Sequence, residues 1–286
     1  MKFNKIIIGI ILFGTIVSCK KNMDVSVSNS VMTKTIINSA YGSDSLQKMD
    51  IYLPAGRTTT TTKVIVMIHG GAWSSGDKTD LSQYVDTFKR RLPDYAIFNL
   101  NYRLAVNSNT VFPAQENDIK DAVQYIIDQS SSYLISNKIV IMGVSAGAHL
   151  GLLEAYKNMN LLKAKAVVSF FGPTDLIDMY NNPANPYIPL GLQQVIGATP
   201  IQDSLLYASS SPINYVNGST PPTLILQGGL DNLVRPSQAV ALQNKLNVNS
   251  VANQYVFYPN EGHGWFGATL SDSFDKLQAF LNLHVQ

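Results

Sequence analysis

The tightest constraint on this chain is the stretch KIVIMGVSAGAHLGLLEAY, residues 138 to 156, where an apolar, β-branched run meets a glycine and passes at once into helix-forming sequence. Such a run reads as a buried strand, so strand and helix must join through a turn of only a few residues. Gly143, Ser145 and Gly147 complete a GxSxG pattern at that join. The glycines leave room for neighbouring backbone, while the serine, in a strained conformation, projects its hydroxyl above the sheet. The helix that follows points its positive end at any negative charge developing beside Ser145.

Around this join, apolar strand-like runs alternate with amphipathic helix-like runs, the pattern of an α/β domain with a mainly parallel sheet. TIINSAYG and KMDIYLPA read as a leading antiparallel pair, followed by strands in KVIVMIHG (63–70), YAIFNLNYR (95–103), KIVIMGVS (138–145), AKAVVSFFG (164–172), PTLILQGG (222–229) and NQYVFYPN (253–260). Eight strands are predicted. Leu81, Tyr84, Val85, Phe88 and Leu92 recur at helical spacing, as do Ile119, Ala122, Val123 and Ile126, which suits helices covering the sheet faces. Further helices fit 146–158, 237–247 and 271–284, and the threonine run at 58–62 reads as a loop. The segment 174–221 has no strand pattern and carries several prolines and asparagines. It reads as an excursion near the strand ends, where ligands of such sheets bind.

A serine hydroxyl attacks only when a base takes its proton, and the base needs an orienting carboxylate. The chain has four histidines. His69 ends a strand, His149 lies one helical turn beyond Ser145, and His284 is two residues from the C-terminus. His263, in the glycine-rich PNEGHGWFG after the last strand, is free to reach back over the sheet and is the candidate base. Asp231, just past the penultimate strand in LILQGGLDNLV, is the candidate acid; Asp175, in FGPTDL, is the rival, its other reading being a helix N-cap.

Acyl transfer also needs donors for an oxyanion. HGGAW, His69 to Trp73, follows the first long parallel strand, and its glycines let backbone N–H groups face a carbonyl oxygen. The N–H groups of Gly71, Ala72 and Ala146 would form the hole, with Gly70 a possible third contributor from the loop; His69 would hold that loop by hydrogen bonding. Trp73 and Trp265 flank the oxyanion loop and the base, and each reads either as pocket lining for substrate or as core. Tyr102 and Arg103 read as braces for the sheet and its loops.

Taken together, HGGAWSSGDK, NYRLA with FPAQENDIKDAVQYI, GVSAGAHL, SPINYV with PPTLILQGGLDNLV, and GHGWF extend over about residues 47 to 284. On these motifs the chain resembles the α/β-hydrolase superfamily, specifically the esterases and lipases with an HGGG-type motif. That group includes hormone-sensitive-lipase-like esterases and bacterial carbohydrate esterases, and Ser145, Asp231 and His263 stand in its chain order. The resemblance implies a serine hydrolase working through an acyl-enzyme, with no metal and no organic cofactor. Two departures matter. The third motif glycine is Ala72, and the sequence ahead of HGGAW leaves no room for the helical cap of hormone-sensitive-lipase-like members. Cap-less acetyl xylan and feruloyl esterases match better, so short acyl or hydroxycinnamoyl esters of carbohydrates are the anticipated substrates. The rivals are a prolyl-oligopeptidase-like peptidase and a non-catalytic binding protein on the same fold. The latter would be marked by loss of Ser145, Asp231 or His263, none of which is lost.

Lys2 and Lys5 precede the apolar run IIIGIILFGTIV (6–17), too short to span a bilayer comfortably, and IVSC (16–19) resembles the lipobox of bacterial lipoproteins. The expected organisation is a lipoprotein signal peptide over 1–18, a flexible tether over 19–34 and a hydrolase domain over 35–286. Cys19, the one cysteine, would carry lipid and anchor the exported protein at a membrane facing the periplasm or the outside. Cleavage there removes two of 21 basic residues and leaves 19 against 19 acidic ones. Near-zero net charge supplies no electrostatic footprint for nucleic acid.

Overall fold

The computed structural model describes residues 31–161 and 163–286, together with residue 1. Residues 2–18 of the expected signal peptide, Cys19 and the expected tether up to residue 30 lie outside the described residues. Residues 31–33 have no regular structure and the first strand starts at Lys34, the last residue of the expected tether.

The strands are β1 (Lys34–Ala40), β2 (Lys48–Leu53), β3 (Lys63–Ile68), β4 (Tyr95–Leu100), β5 (Ile139–Val144), β6 (Ala166–Phe170), β7 (Thr223–Gly228) and β8 (Asn253–Tyr258). They form an eight-stranded sheet in the order β1-β2-β4-β3-β5-β6-β7-β8. β1 and β2 pair antiparallel, β2 joins β4 antiparallel, and every pairing from β4 to β8 is parallel. The strands end earlier than their apolar runs. In 63–70 and 95–103, for example, the last residues leave the ladder to build the loops over the strand ends.

Alternation along the strands divides the core between two faces. Val64, Val66, Ile139 and Ile141 face a cluster with Ile119, Val123, Leu150 and Leu153. These come from α2 (Ala114–Asp128) and α4 (Ala146–Lys157). Ile65, Met67, Val140 and Met142 face the other cluster, with Val85, Phe88, Phe274 and Leu277, from α1 (Ser82–Arg91) and α9 (Gly267–His284). A short helix α3 (Ser130–Tyr133) extends α2.

The strandless excursion is helical. It holds α5 (Leu176–Asn181), α6 (Ile188–Ile196), α7 (Ser204–Ser209) and a 3-10 turn at Pro212–Tyr215. Helices of six to nine residues are too short to hold alone and depend on caps and packing. Asp175 and Asp203 cap α5 and α7, and Gly197 in the left-handed conformation stops α6. The last crossover helix, α8 (Pro236–Val248), packs on β7 and β8.

Candidate active site

Parallel strands place all their C-terminal ends on one edge of a sheet, and four of them supply the site. β5 ends at Val144, and Ser145 turns the chain with φ 54° and ψ −121°, a conformation an L-residue holds only under surrounding constraint. Its N–H donates to Phe170 O at 2.8 Å, and its carbonyl accepts from His149 N at 3.1 Å. A side chain at Gly143 would meet the Gly147 carbonyl at 2.2 Å, and one at Gly147 would meet Ile68 O at 2.2 Å. The two glycines of GxSxG therefore let helix α4 sit directly on β5 and β3. That close seating aims Ser145 Oγ above the sheet.

β7 leads into Asp231, and β8 leads into the loop that carries His263. The two loops are tied together: Leu230 N donates to Glu261 O at 2.8 Å and Gly229 N to Tyr258 O at 2.8 Å. Asp231 Oδ1 accepts the N–H groups of Leu233 and Val234, each at 2.9 Å, which fixes the carboxylate. Its Oδ2 accepts from His263 Nδ1 at 2.8 Å, and His263 Nε2 lies 2.8 Å from Ser145 Oγ. A carboxylate only accepts, so the imidazole proton sits on Nδ1, Nε2 offers its lone pair, and the serine hydroxyl donates to it. The Phe171 ring stands edge-on to the imidazole at 4.7 Å and fills its flank.

The loop after β3 lies against this relay. A side chain at Gly70 would come within 3.3 Å of Ser145 Cβ. Gly71, Ala72 and Trp73 run consecutively through positive φ, at 104°, 49° and 60°. For Ala72, standing where the motif has glycine, that conformation costs roughly 1–2 kcal/mol. The turn is pinned through its carbonyls: Gly71 O accepts from Ser74 N at 3.1 Å and Ser75 N at 2.9 Å, and Trp73 O accepts from Ala105 N at 2.8 Å. Tyr102 Oη donates to His69 O at 3.1 Å. No hydrogen bond among the described residues uses the N–H groups of Gly71, Ala72 or Ala146.

The remaining sequence candidates are structural. His69 Nδ1 donates to Gly70 O at 2.7 Å and its ring stacks on Tyr102 at 4.3 Å. Burial lowers its pKa, keeping it neutral as a loop brace. Arg103 makes a bidentate contact with buried Asp118 of α2 through Nε at 3.0 Å and Nη2 at 2.6 Å. Asp175 caps α5, and the hydrogen-bond partners of His263 among the described residues are Asp231 and Ser145. Trp73 and Trp265 both line the cavity at the site, and both are 4% exposed with their indole N–H groups engaged, on His149 Nδ1 and Ser273 Oγ. The two readings of each tryptophan are thus compatible: core on one side, wall on the other.

The excursion reads as lying near the strand ends, but the residues it contributes, and two others, escape the motif reading. Excursion residues Met179, Ile188, Leu192 and Val195 wall one side of the cavity, Leu81, Tyr84 and Phe171 the other, and Ser145 and His263 open into it. Its volume is about 980 Å³, at the upper end of the ~300–1,000 Å³ of ligand pockets. Phe171 is invisible to motif reading because its apolar neighbours look the same. Gln227 is different: it is a polar residue inside the apolar run LILQG, fully buried, with Nε2 3.0 Å from Asp231 Oδ2.

Against this geometry stand the likenesses to known proteins. The profile of the BD-FAE family matches residues 49–246, which contain Ser145, Asp231 and the HGGAW loop. The chain belongs to the BD-FAE family. This BD-FAE chain is 24% identical over 260 residues to Esterase LipC of Mycobacterium tuberculosis, an alignment covering 85% of it and 63% of LipC. It thus spans less than two thirds of that relative. Among solved structures it resembles a bifunctional GH43-CE protein of Bacteroides eggerthii, with a TM-score of 0.75, 24% identity, and coverage of 86% of this chain and 38% of that one. It also resembles a truncated carbohydrate esterase from gut microbiota, with a TM-score of 0.71 and 24% identity over 88% of this chain and 98% of that one. Together with the sheet order, these likenesses establish the α/β-hydrolase fold.

Proposed function

We propose that this BD-FAE chain is a serine esterase. The observation that carries the reading is the unbroken relay from Ser145 Oγ through His263 to Asp231, with both links at 2.8 Å, opening into a substrate-sized cavity. Ser145 Oγ attacks the ester carbonyl as its proton passes to His263 Nε2, and Asp231 stabilises the imidazolium. The carbonyl oxygen, now negative, is held by the N–H groups of Gly71, Ala72 and Ala146. Each such donor contributes roughly 3–4 kcal/mol of transition-state stabilisation. Collapse expels the alcohol, which leaves with the proton from His263. Water then repeats the cycle on the acyl-enzyme and releases the acid.

The finer reading is that the ester joins a short acyl or hydroxycinnamoyl group to a carbohydrate. The likeness to a carbohydrate esterase and the mostly apolar cavity walls favour it. Purified protein given p-nitrophenyl acetate, methyl ferulate and acetylated xylan is expected to cleave all three, and Ser145→Ala none. Cleavage of amides without esters would favour the peptidase reading, and activity confined to long-chain lipid esters would refute the carbohydrate reading. The lipobox-like IVSC supports a further element, attachment of lipid at Cys19 and display at a membrane. Radiolabelled palmitate incorporated by the wild type and equally by Cys19→Ala would exclude it.

A further inference from the structure

Gln227 is the fifth residue of β7, and strand alternation puts its side chain on the face of Ile225, the face covered by α8. An amide in an apolar layer needs partners, and this one has them on one atom only. Nε2 lies 3.0 Å from Asp231 Oδ2, 3.2 Å from Val234 O and 3.2 Å from Gly228 O, while Oε1 is buried with no partner among the described residues. The three neighbours of Nε2 are all acceptors, so the amide has one admissible orientation. Turned over, it would set oxygen against a carboxylate and two carbonyls. An orphaned oxygen in the core is a standing cost that a leucine or methionine would avoid. Packing alone therefore does not account for glutamine here.

What the amide touches gives the account. Val234 O and Gly228 O belong to the two ends of the loop that presents Asp231, and Asp231 Oδ2 is the oxygen that also receives His263 Nδ1–H. One side chain thus spans the base of the acid loop and shares the catalytic oxygen with the imidazole. We propose that Gln227 is a positioning residue for the relay: it fixes the Asp231 loop and donates to Oδ2, limiting how strongly the carboxylate holds the imidazolium. The inference rests on the esterase reading above.

Two consequences differ from those of a residue that only packs. Without the donor, charge concentrates on Oδ2 and the protonated imidazole is favoured, so the acidic limb of the pH profile moves up, because His263 must be neutral to act as base. The looser carboxylate lowers kcat with little change in KM, since the acyl and alcohol contacts are untouched. The test uses p-nitrophenyl acetate with wild type, Gln227→Met, Asp231→Asn and the double variant. Gln227→Met is expected to lower kcat about tenfold, hold KM within about twofold and raise the acidic limb by about half a unit. In the Asp231→Asn background the same change is expected to do almost nothing further, because Gln227 acts through Asp231. An unmoved acidic limb, or the same tenfold loss in both backgrounds, overturns the proposal. Should Gln227→Met not fold, Gln227→Leu replaces it and likewise removes the donor; unaltered kcat and pH profile in that variant would overturn the proposal as well. Failure of the esterase reading shows separately, as wild-type activity that Ser145→Ala leaves intact.

Discussion

His263 and His149 are the same residue type, both beside Ser145, and their surroundings give them opposite characters. His149 lies one turn into α4, with Trp73 Nε1 donating to its Nδ1 at 3.1 Å and its Nε2 donating to Ser210 O at 2.7 Å. Both nitrogens are engaged and the residue is fully buried, so the ring has no lone pair to offer and burial lowers its pKa to about 4. His263 has a carboxylate on Nδ1 and a hydroxyl on Nε2, and its side chain keeps 14% exposure toward the cavity. The Trp73 N–H takes the one lone pair of His149, whereas the carboxylate on His263 Nδ1 leaves the Nε2 lone pair facing the serine hydroxyl.

The strongest way to break this contrast is at the proposed nucleophile. Ser145→Ala is expected to lower kcat by roughly four to six orders of magnitude, the range for removing an activated serine. Hydrolysis surviving within tenfold of wild type would mean that His263 serves no base function. Asp231→Asn sharpens the same point more gently. Its amide N–H can face Nδ1 and push the imidazole proton to Nε2, which removes the lone pair from the serine. A fall of about 10⁴ in kcat with an unchanged circular dichroism spectrum is expected. A loss under tenfold would show that the carboxylate does not set the tautomer.

The frame of this contrast was legible in the sequence, and its fine placement was not. Leu81, Tyr84, Val85, Phe88 and Leu92 recur at helical spacing and all are buried, because a helix face and its period are encoded locally. Ser145, Asp231 and His263 each follow a strand run, so a parallel sheet brings them to one edge whatever the loop details. Gln227 could have been found as a lone polar residue in an apolar strand. The excursion wall could not: Met179, Leu192 and Val195 reach the cavity through how short helices dock, and docking is a tertiary matter that short periods do not record. The pairing of Trp73 with His149, 76 residues apart, is equally silent in sequence.

Acid offers a third handle on the two histidines. The folded value of His149, about 4, lies below the ordinary 6.5. The unfolded chain therefore takes up this proton first, and the stability present above pH 6.5 is lost as pH falls toward 4, by about 3 kcal/mol. Buried Glu154 runs the other way, because burial raises its pKa from 4.5 to about 7 and its contribution fades as pH rises across that window. The two partly cancel in the wild type. His149→Gln, which can still accept from Trp73 and donate to Ser210 O but cannot titrate, isolates the histidine. Between pH 7 and 4.5 the wild type is expected to lose about 2–3 kcal/mol relative to the variant in urea unfolding. Parallel stability curves would mean that His149 is not held neutral by burial.

The smallest effect concerns the two aspartates that follow β6 and β7. Asp175 Oδ1 accepts from Ile177 N and Asp178 N, each at 3.0 Å, and Asp231 Oδ1 accepts from Leu233 N and Val234 N in the same local pattern. Only the second oxygen distinguishes them: Asp231 Oδ2 meets His263 and Gln227, while Asp175 Oδ2 has no partner among the described residues. Asp175→Ala removes an N-cap and nothing from the relay. It is expected to cost about 1 kcal/mol, a fall of roughly 2–4 °C in melting temperature for a domain of this size, with kcat on p-nitrophenyl acetate unchanged. A tenfold loss of kcat at unchanged fold would return Asp175 to the list of acids. Because the capping geometry is shared, the capped oxygens cannot explain such a loss, and the difference between the aspartates must reside in what their free oxygens face.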